Sequence, residues 1–74
     1  MIATLHAMTS GECRWVGRYD IHVYCWAPLN RPAVFKVWTA DSVGSPWDDA
    51  GWVTASVAVR QIESILAKEP RHVA

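Results

Sequence analysis

The stretch Arg18-Tyr19-Asp20-Ile21-His22-Val23-Tyr24-Cys25-Trp26-Ala27 decides the fold. Tyr19, Ile21, Val23 and Cys25 alternate with His22, Tyr24 and Trp26, and alternation sustained over such a run marks a β-strand whose side chains point to opposite faces of a sheet. Both sets hold large or apolar side chains, so both faces of that sheet need cover.

Outward from this strand, Pro28-Leu29-Asn30-Arg31-Pro32 loses two backbone donors to proline and reads as a hairpin connection. Residues 33–39 follow as a second strand rich in β-branched and aromatic types, with Phe35 and Val37 facing opposite to Val34, Lys36 and Trp38. In the other direction, Gly17 reads as a bulge and the chain is extended from about Cys13. Residues 2–8 read as a further strand, ended by the turn-forming cluster Thr9-Ser10-Gly11-Glu12.

Beyond Thr39 the chain reads as a loop. Within it Ser45-Pro46-Trp47-Asp48 has the form of a helix start, with a hydroxyl cap, proline first and an acid third, and predicts a helical turn over 46–50. Ala55, Ala58, Val59, Ile62, Ile65 and Leu66 then recur at helical spacing and predict an amphipathic helix over about 54–68, with Thr54 as its cap. Asp48 and Asp49 before this helix and Lys68 and Arg71 at its end complement the helix dipole, and Pro70 stops it. The order β-β-β-α with short connections predicts an α+β fold, a three-stranded antiparallel sheet with one C-terminal helix packed on one face. Residues 1–74 are read as a single compact domain.

Seventy-four residues bury a modest fraction of their surface, so stability is expected to be marginal unless something such as oligomerisation supplements the core. At 51% hydrophobic and 19% charged the composition is that of a globular chain. Seven basic and seven acidic side chains cancel, which removes long-range attraction for nucleic acid or an anionic membrane. No apolar run approaches the ~20 residues needed to cross a bilayer. Two cysteines and a start without a basic, apolar leader point to a reducing cytoplasm.

Ile21, Val23, Cys25, Phe35 and Val37 are the aliphatic-rich set suited to meet Ala58, Ile62, Ile65 and Leu66. Period-two geometry then gathers His22, Tyr24, Trp26, Val34, Lys36 and Trp38 on the second face. Three large aromatics left bare would expose about 450–750 Å², at or above the ~300–600 Å² of the largest patch on an ordinary monomer. Residues 41–53, bringing Trp47 and Trp52, are one cover for it; a second copy of the chain or another protein is the other.

Candidate chemistry is sparse. His22-x-x-Cys25 could offer two metal ligands, but residues three apart on a strand point to opposite faces, and Cys25 reads as a small buried hydrophobe. Neither Cys13 nor Cys25 is placed by local sequence against an imidazole, Asp41, Asp48 and Asp49 lack the spacing of a calcium loop, and Ser42-Val43-Gly44-Ser45 is too short to cradle phosphate. No enzyme, metal or cofactor is expected.

The sequence therefore predicts a non-catalytic protein-binding module, with His22, Tyr24, Trp26, Lys36 and Trp38 as partner-binding residues and Arg14, Trp15, Arg18, Trp47 and Trp52 as secondary candidates. Small size, one domain and an aromatic recognition surface resemble in general style the orphan proteins of phages and other mobile elements, including anti-CRISPR inhibitors; no specific motif carries that resemblance. It implies an inhibitor or regulator that occupies a partner's surface. Two other readings use the same face, a single-stranded nucleic-acid binder that stacks bases on the aromatics and a structural homodimer subunit.

Overall fold

The computed structural model describes residues 1–16 and 18–68, with the side chains of Arg18 and Tyr19 left out; Gly17 and the reading of it as a bulge lie outside the described residues, as do Pro70 and Arg71. Strand β1 runs Cys13–Val16, β2 Arg18–Trp26 and β3 Val34–Trp38, and they form an antiparallel sheet in the order β1-β2-β3. Helix α1 is Ile2–His6 and α2 is Ala55–Lys68.

The alternation in β2 holds. Ile21, Val23 and Cys25 are fully buried on one face, and β3 continues that face by setting Val37 against Val23 and Phe35 against Cys25. Helix α2 lays Ala58 and Ile62, one turn apart, onto this layer, with Ala55, Val59, Ile65 and Leu66 packed around them. Thr54 supplies the carbonyl that accepts the Ala58 N–H at 2.9 Å, and its hydroxyl lies 3.3 Å from that of Ser56.

The expected strand over 2–8 is instead a helix. Leu5 and Met8, three residues apart, both enter the core, and α1 packs against α2. Spacing of three is helical, and Ala3 and Ala7 favour it; the period-two pattern of Ile2, Thr4, His6 and Met8 carries no such burial, since Ile2 stays exposed. The third strand is therefore Cys13–Val16. Its register on β2 shifts between Trp15 and Val16, and ahead of it the ladder continues through a bulge at Gly11, whose N–H donates to the Cys25 carbonyl at 2.8 Å while the Cys25 N–H donates to the Glu12 carbonyl at 3.0 Å. Two residues face one, with Gly11 at φ 85°, a conformation a side chain would strain.

The hairpin between β2 and β3 turns at Pro28-Leu29-Asn30-Arg31. The Arg31 N–H donates to the Pro28 carbonyl at 3.3 Å, and Asn30 takes φ 63° at the third position, as a type II turn requires.

No helix forms over 46–50, although its start does. The Ser45 hydroxyl accepts the Trp47 N–H at 3.2 Å, and the Asp48 carboxylate reaches back to the Ser45 N–H at 3.3 Å. This capping box closes one turn, Asp48 N–H to Ser45 carbonyl at 3.2 Å, and stops. The Asp48 carbonyl, which a helix would offer to a later backbone N–H, is taken by two side chains described below, and Gly51 turns the chain at φ 86°. Val53 then forms a two-bond bridge with Phe35 on the outer edge of β3, at 2.7 and 2.8 Å, and blunts that edge.

Candidate functional site

The register carries the second face. Opposed residues of antiparallel strands share a face, so the pairs His22 with Trp38, Tyr24 with Lys36 and Trp26 with Val34 bring all five predicted partner-binding residues together. From β1, Trp15 joins them across from His22, their rings 5.4 Å apart and nearly parallel at 7°, and Cys13 stands opposite Tyr24.

Residues 45–53 fold over the middle of this face. Trp47 meets Tyr24 edge to face at 5.1 Å, and Trp52 tilts against Trp47 at 5.8 Å. Lys36 lies beneath them, only 6% exposed, with Nζ donating to the Asp48 carbonyl at 2.7 Å and lying 4.9 Å from the Trp52 ring centre. Trp52 Nε1–H donates to the same carbonyl at 2.7 Å. One carbonyl thus accepts a charged donor and an indole donor, which ties the loop to the sheet.

Tyr24 and Lys36 are therefore pieces of an internal second core more than contact residues. Burial raises the Tyr24 hydroxyl above its ordinary pKa, with the neighbouring Cys13 thiol adding to the shift. Trp26, at 51% exposed, and Trp15, at 62%, flank the covered middle on either side, and Trp47 keeps 45% of its surface exposed above it. His22 and Trp38 are half-buried, and His22 Nε2 is buried with no hydrogen-bond partner among the described residues.

Arg14 does not belong to this face. It pairs with Val23, which points into the core, so its guanidinium emerges on the helix side and binds the Glu12 carboxylate. That carboxylate also accepts the Thr9 N–H at 2.8 Å, and the Thr9 bond first and Arg14 second hold Glu12 below the usual carboxylate range. Arg18 lies in β2, its side chain outside the described set. Two of the three cations expected beside the aromatics are thus accounted for, Arg14 by facing the other way and Lys36 by being buried and bonded.

Between the β2–β3 hairpin and the covering loop lies a groove of about 850 Å³. Trp26, Pro28, Pro32 and Val34 line its hairpin wall; Trp47 and Trp52 line the other, with Arg31 and Asp49 on opposite rims. Sequence reading placed Trp26, Trp47 and Trp52 among the candidates but missed the prolines, Arg31 and Asp49, because the wall exists only once residues 45–53 dock on a sheet strand far away in the chain.

His22 and Cys25 face opposite sides of β2. Burial, and then the Glu12 charge, pushes the Cys25 thiol up, whereas Cys13 is exposed. Among the described residues no three His, Cys, Asp or Glu side chains stand close enough to share a metal ion, and no helix is long and apolar enough to cross a membrane. Comparison with protein-family models, curated proteins and solved structures finds no match.

Proposed function

We propose that this chain is a non-catalytic protein-binding module, an inhibitor or regulator that works by occupying a partner's surface. The observation that supports this is the exposure of Trp15, Trp26 and Trp47 around a middle that the chain covers for itself. Aromatic side chains held rigid by packing are the residues that dominate interface energetics, because they bury much area for little lost rotamer freedom. Trp47 is fixed by Tyr24 and Trp52, and Trp15 by its stack on His22. A nucleic-acid reading is less well supported, since Arg14 faces the other way, Lys36 is buried and bonded beneath the loop, and Arg31, exposed beside those rings, shares its groove with the acidic Asp49.

The test is site-specific photo-crosslinking in the native cell, with benzoylphenylalanine replacing Arg31 at the groove rim or Glu63 on the exposed side of α2. The expected result is a discrete protein adduct from position 31, absent from position 63 and lost when Trp26→Ala is added. Equal labelling from both positions, or adducts to nucleic acid alone, refutes the proposal.

A further inference from the structure

Resting on the reading of this face as a protein-binding surface, we infer that the groove between the hairpin and the covering loop takes a second copy of the same chain. The geometry supplies a knob, a hole and a charge pattern that complement themselves.

The knob is Leu29. It is 88% exposed at the tip of the turn whose neighbours Pro28 and Arg31 line the groove, and the Pro28–Arg31 hydrogen bond with the positive φ of Asn30 holds it away from its own chain. Leu29 is thus a large aliphatic side chain held in water next to residues that line an aromatic-walled groove. A two-fold axis passing between knob and groove places Leu29 of each copy in the groove of the other, against Trp47 and Trp52. Because knob and hole adjoin on one surface, a single rotation closes the pair and leaves neither free to propagate a fibre.

The charges obey the same operation. Arg31 on the hairpin rim and Asp49 on the loop rim are both exposed, and neither has an ion-pair partner among the described residues. The two-fold carries Arg31 of each copy toward Asp49 of the other, so both cations and both carboxylates are matched. A chain of zero net charge approaches its copy without long-range repulsion.

The size of the contact sets its strength. Trp26 and Trp47 each hold about half their surface in reserve and Leu29 nearly all of its own, which with the prolines and the charged pair falls at or below the ~800 Å² per partner of a standard interface. The dimer is a reversible one, with a dissociation constant on the order of micromolar or weaker.

Sedimentation velocity from low-micromolar to near-millimolar concentration tests this. The weight-average mass is expected to rise from one chain toward two. Leu29→Asp, at a side chain 88% exposed, is expected to stay monomeric with an unchanged melting temperature at low concentration. Arg31→Glu and Asp49→Arg are each expected to weaken the dimer about tenfold, and the double variant, with the charges exchanged, to recover most of that loss. A chain that stays monomeric throughout, a dimer untouched by Leu29→Asp, or an exchange that recovers nothing overturns the inference. If the chain is monomeric but the Trp26-dependent crosslink at position 31 joins it to a different protein, self-association falls and the protein-binding reading stands. If neither self-association nor a crosslink is found, both fall.

Discussion

Replacing Trp47 by Ala asks how firmly the chain covers its own second face. With 45% of its surface exposed, Trp47 removes from water roughly half of the about 150–250 Å² that a tryptophan offers, about 75–125 Å². At ~25 cal/mol per Å² this burial contributes about 2–3 kcal/mol. Its edge-to-face contact with Tyr24 adds about 0.5–1.5 kcal/mol, and ordering the side chain takes back about 1 kcal/mol. The net expectation is a loss of about 1.5–3.5 kcal/mol, which in a chain of this size lowers Tm by roughly 6–28 °C. The assay is reversible thermal and urea unfolding, with Val43→Ala as control, since Val43 is 89% exposed and its truncation is expected to change stability by less than about 0.5 kcal/mol. A double-mutant cycle between Trp47→Ala and Tyr24→Leu is expected to return a coupling of about 0.5–1.5 kcal/mol. A loss below about 0.5 kcal/mol for Trp47→Ala, or no coupling, means that residues 45–53 are solvated and that the groove has only one wall.

Ile62→Ala is expected to cost about 2–5 kcal/mol, because Ile62 is fully buried between α2 and the sheet; a cost under 1 kcal/mol, read from urea unfolding, would mean that α2 does not pack there. Alkylation of the native chain is expected to add one group, on the exposed Cys13, and a second, on Cys25, only in denaturant, because burial both shields that thiol and disfavours its thiolate; two adducts on the folded chain by mass spectrometry refute this. Glu12 titrates below its ordinary value when folded, so its contribution is present above the unfolded pKa and is lost as pH falls through the folded one. Thermal unfolding of wild type minus Glu12→Gln is therefore expected to shrink as the pH drops below the ordinary carboxylate range, and a difference that does not change with pH refutes the Thr9 and Arg14 contacts.

The parts of this fold that local pattern could reveal are those where one periodicity had no rival. In β2 the alternation of Ile21, Val23 and Cys25 with His22, Tyr24 and Trp26 fixes both strand and face, and β3 follows because Phe35 and Val37 must join the aliphatic side. In α2, Ala58, Ile62 and Leu66 repeat too regularly for a strand. Residues 2–8 fit two periods at once, and the contact that decides between them, Leu5 and Met8 against α2, lies more than forty residues away in the chain. Asp48 is the same problem in small. Its capping box with Ser45 and the single turn it opens were legible, but not where that turn ends, with the Lys36 ammonium and the Trp52 indole both on the Asp48 carbonyl.

The face of Arg14 shows what decides a site when pattern does not. Its side depends on the register of β1 on β2, which shifts between Trp15 and Val16, next to the connection of the two strands, and sets Arg14 against Val23 while Cys13 and Trp15 meet Tyr24 and His22; a register shifted by one would have exchanged them. The same reasoning changes the question posed by the aromatic face. Cover from within and cover from outside look like alternatives in the sequence, because either would bury Tyr24, Trp26 and Trp38. Once residues 45–53 dock, they bury Tyr24 and Lys36 but also raise Trp47 and Trp52 as a second wall opposite Trp26. The internal cover therefore builds the groove that an external partner would fill, so a variant that frees the loop should lose recognition even where every groove residue on the sheet is intact.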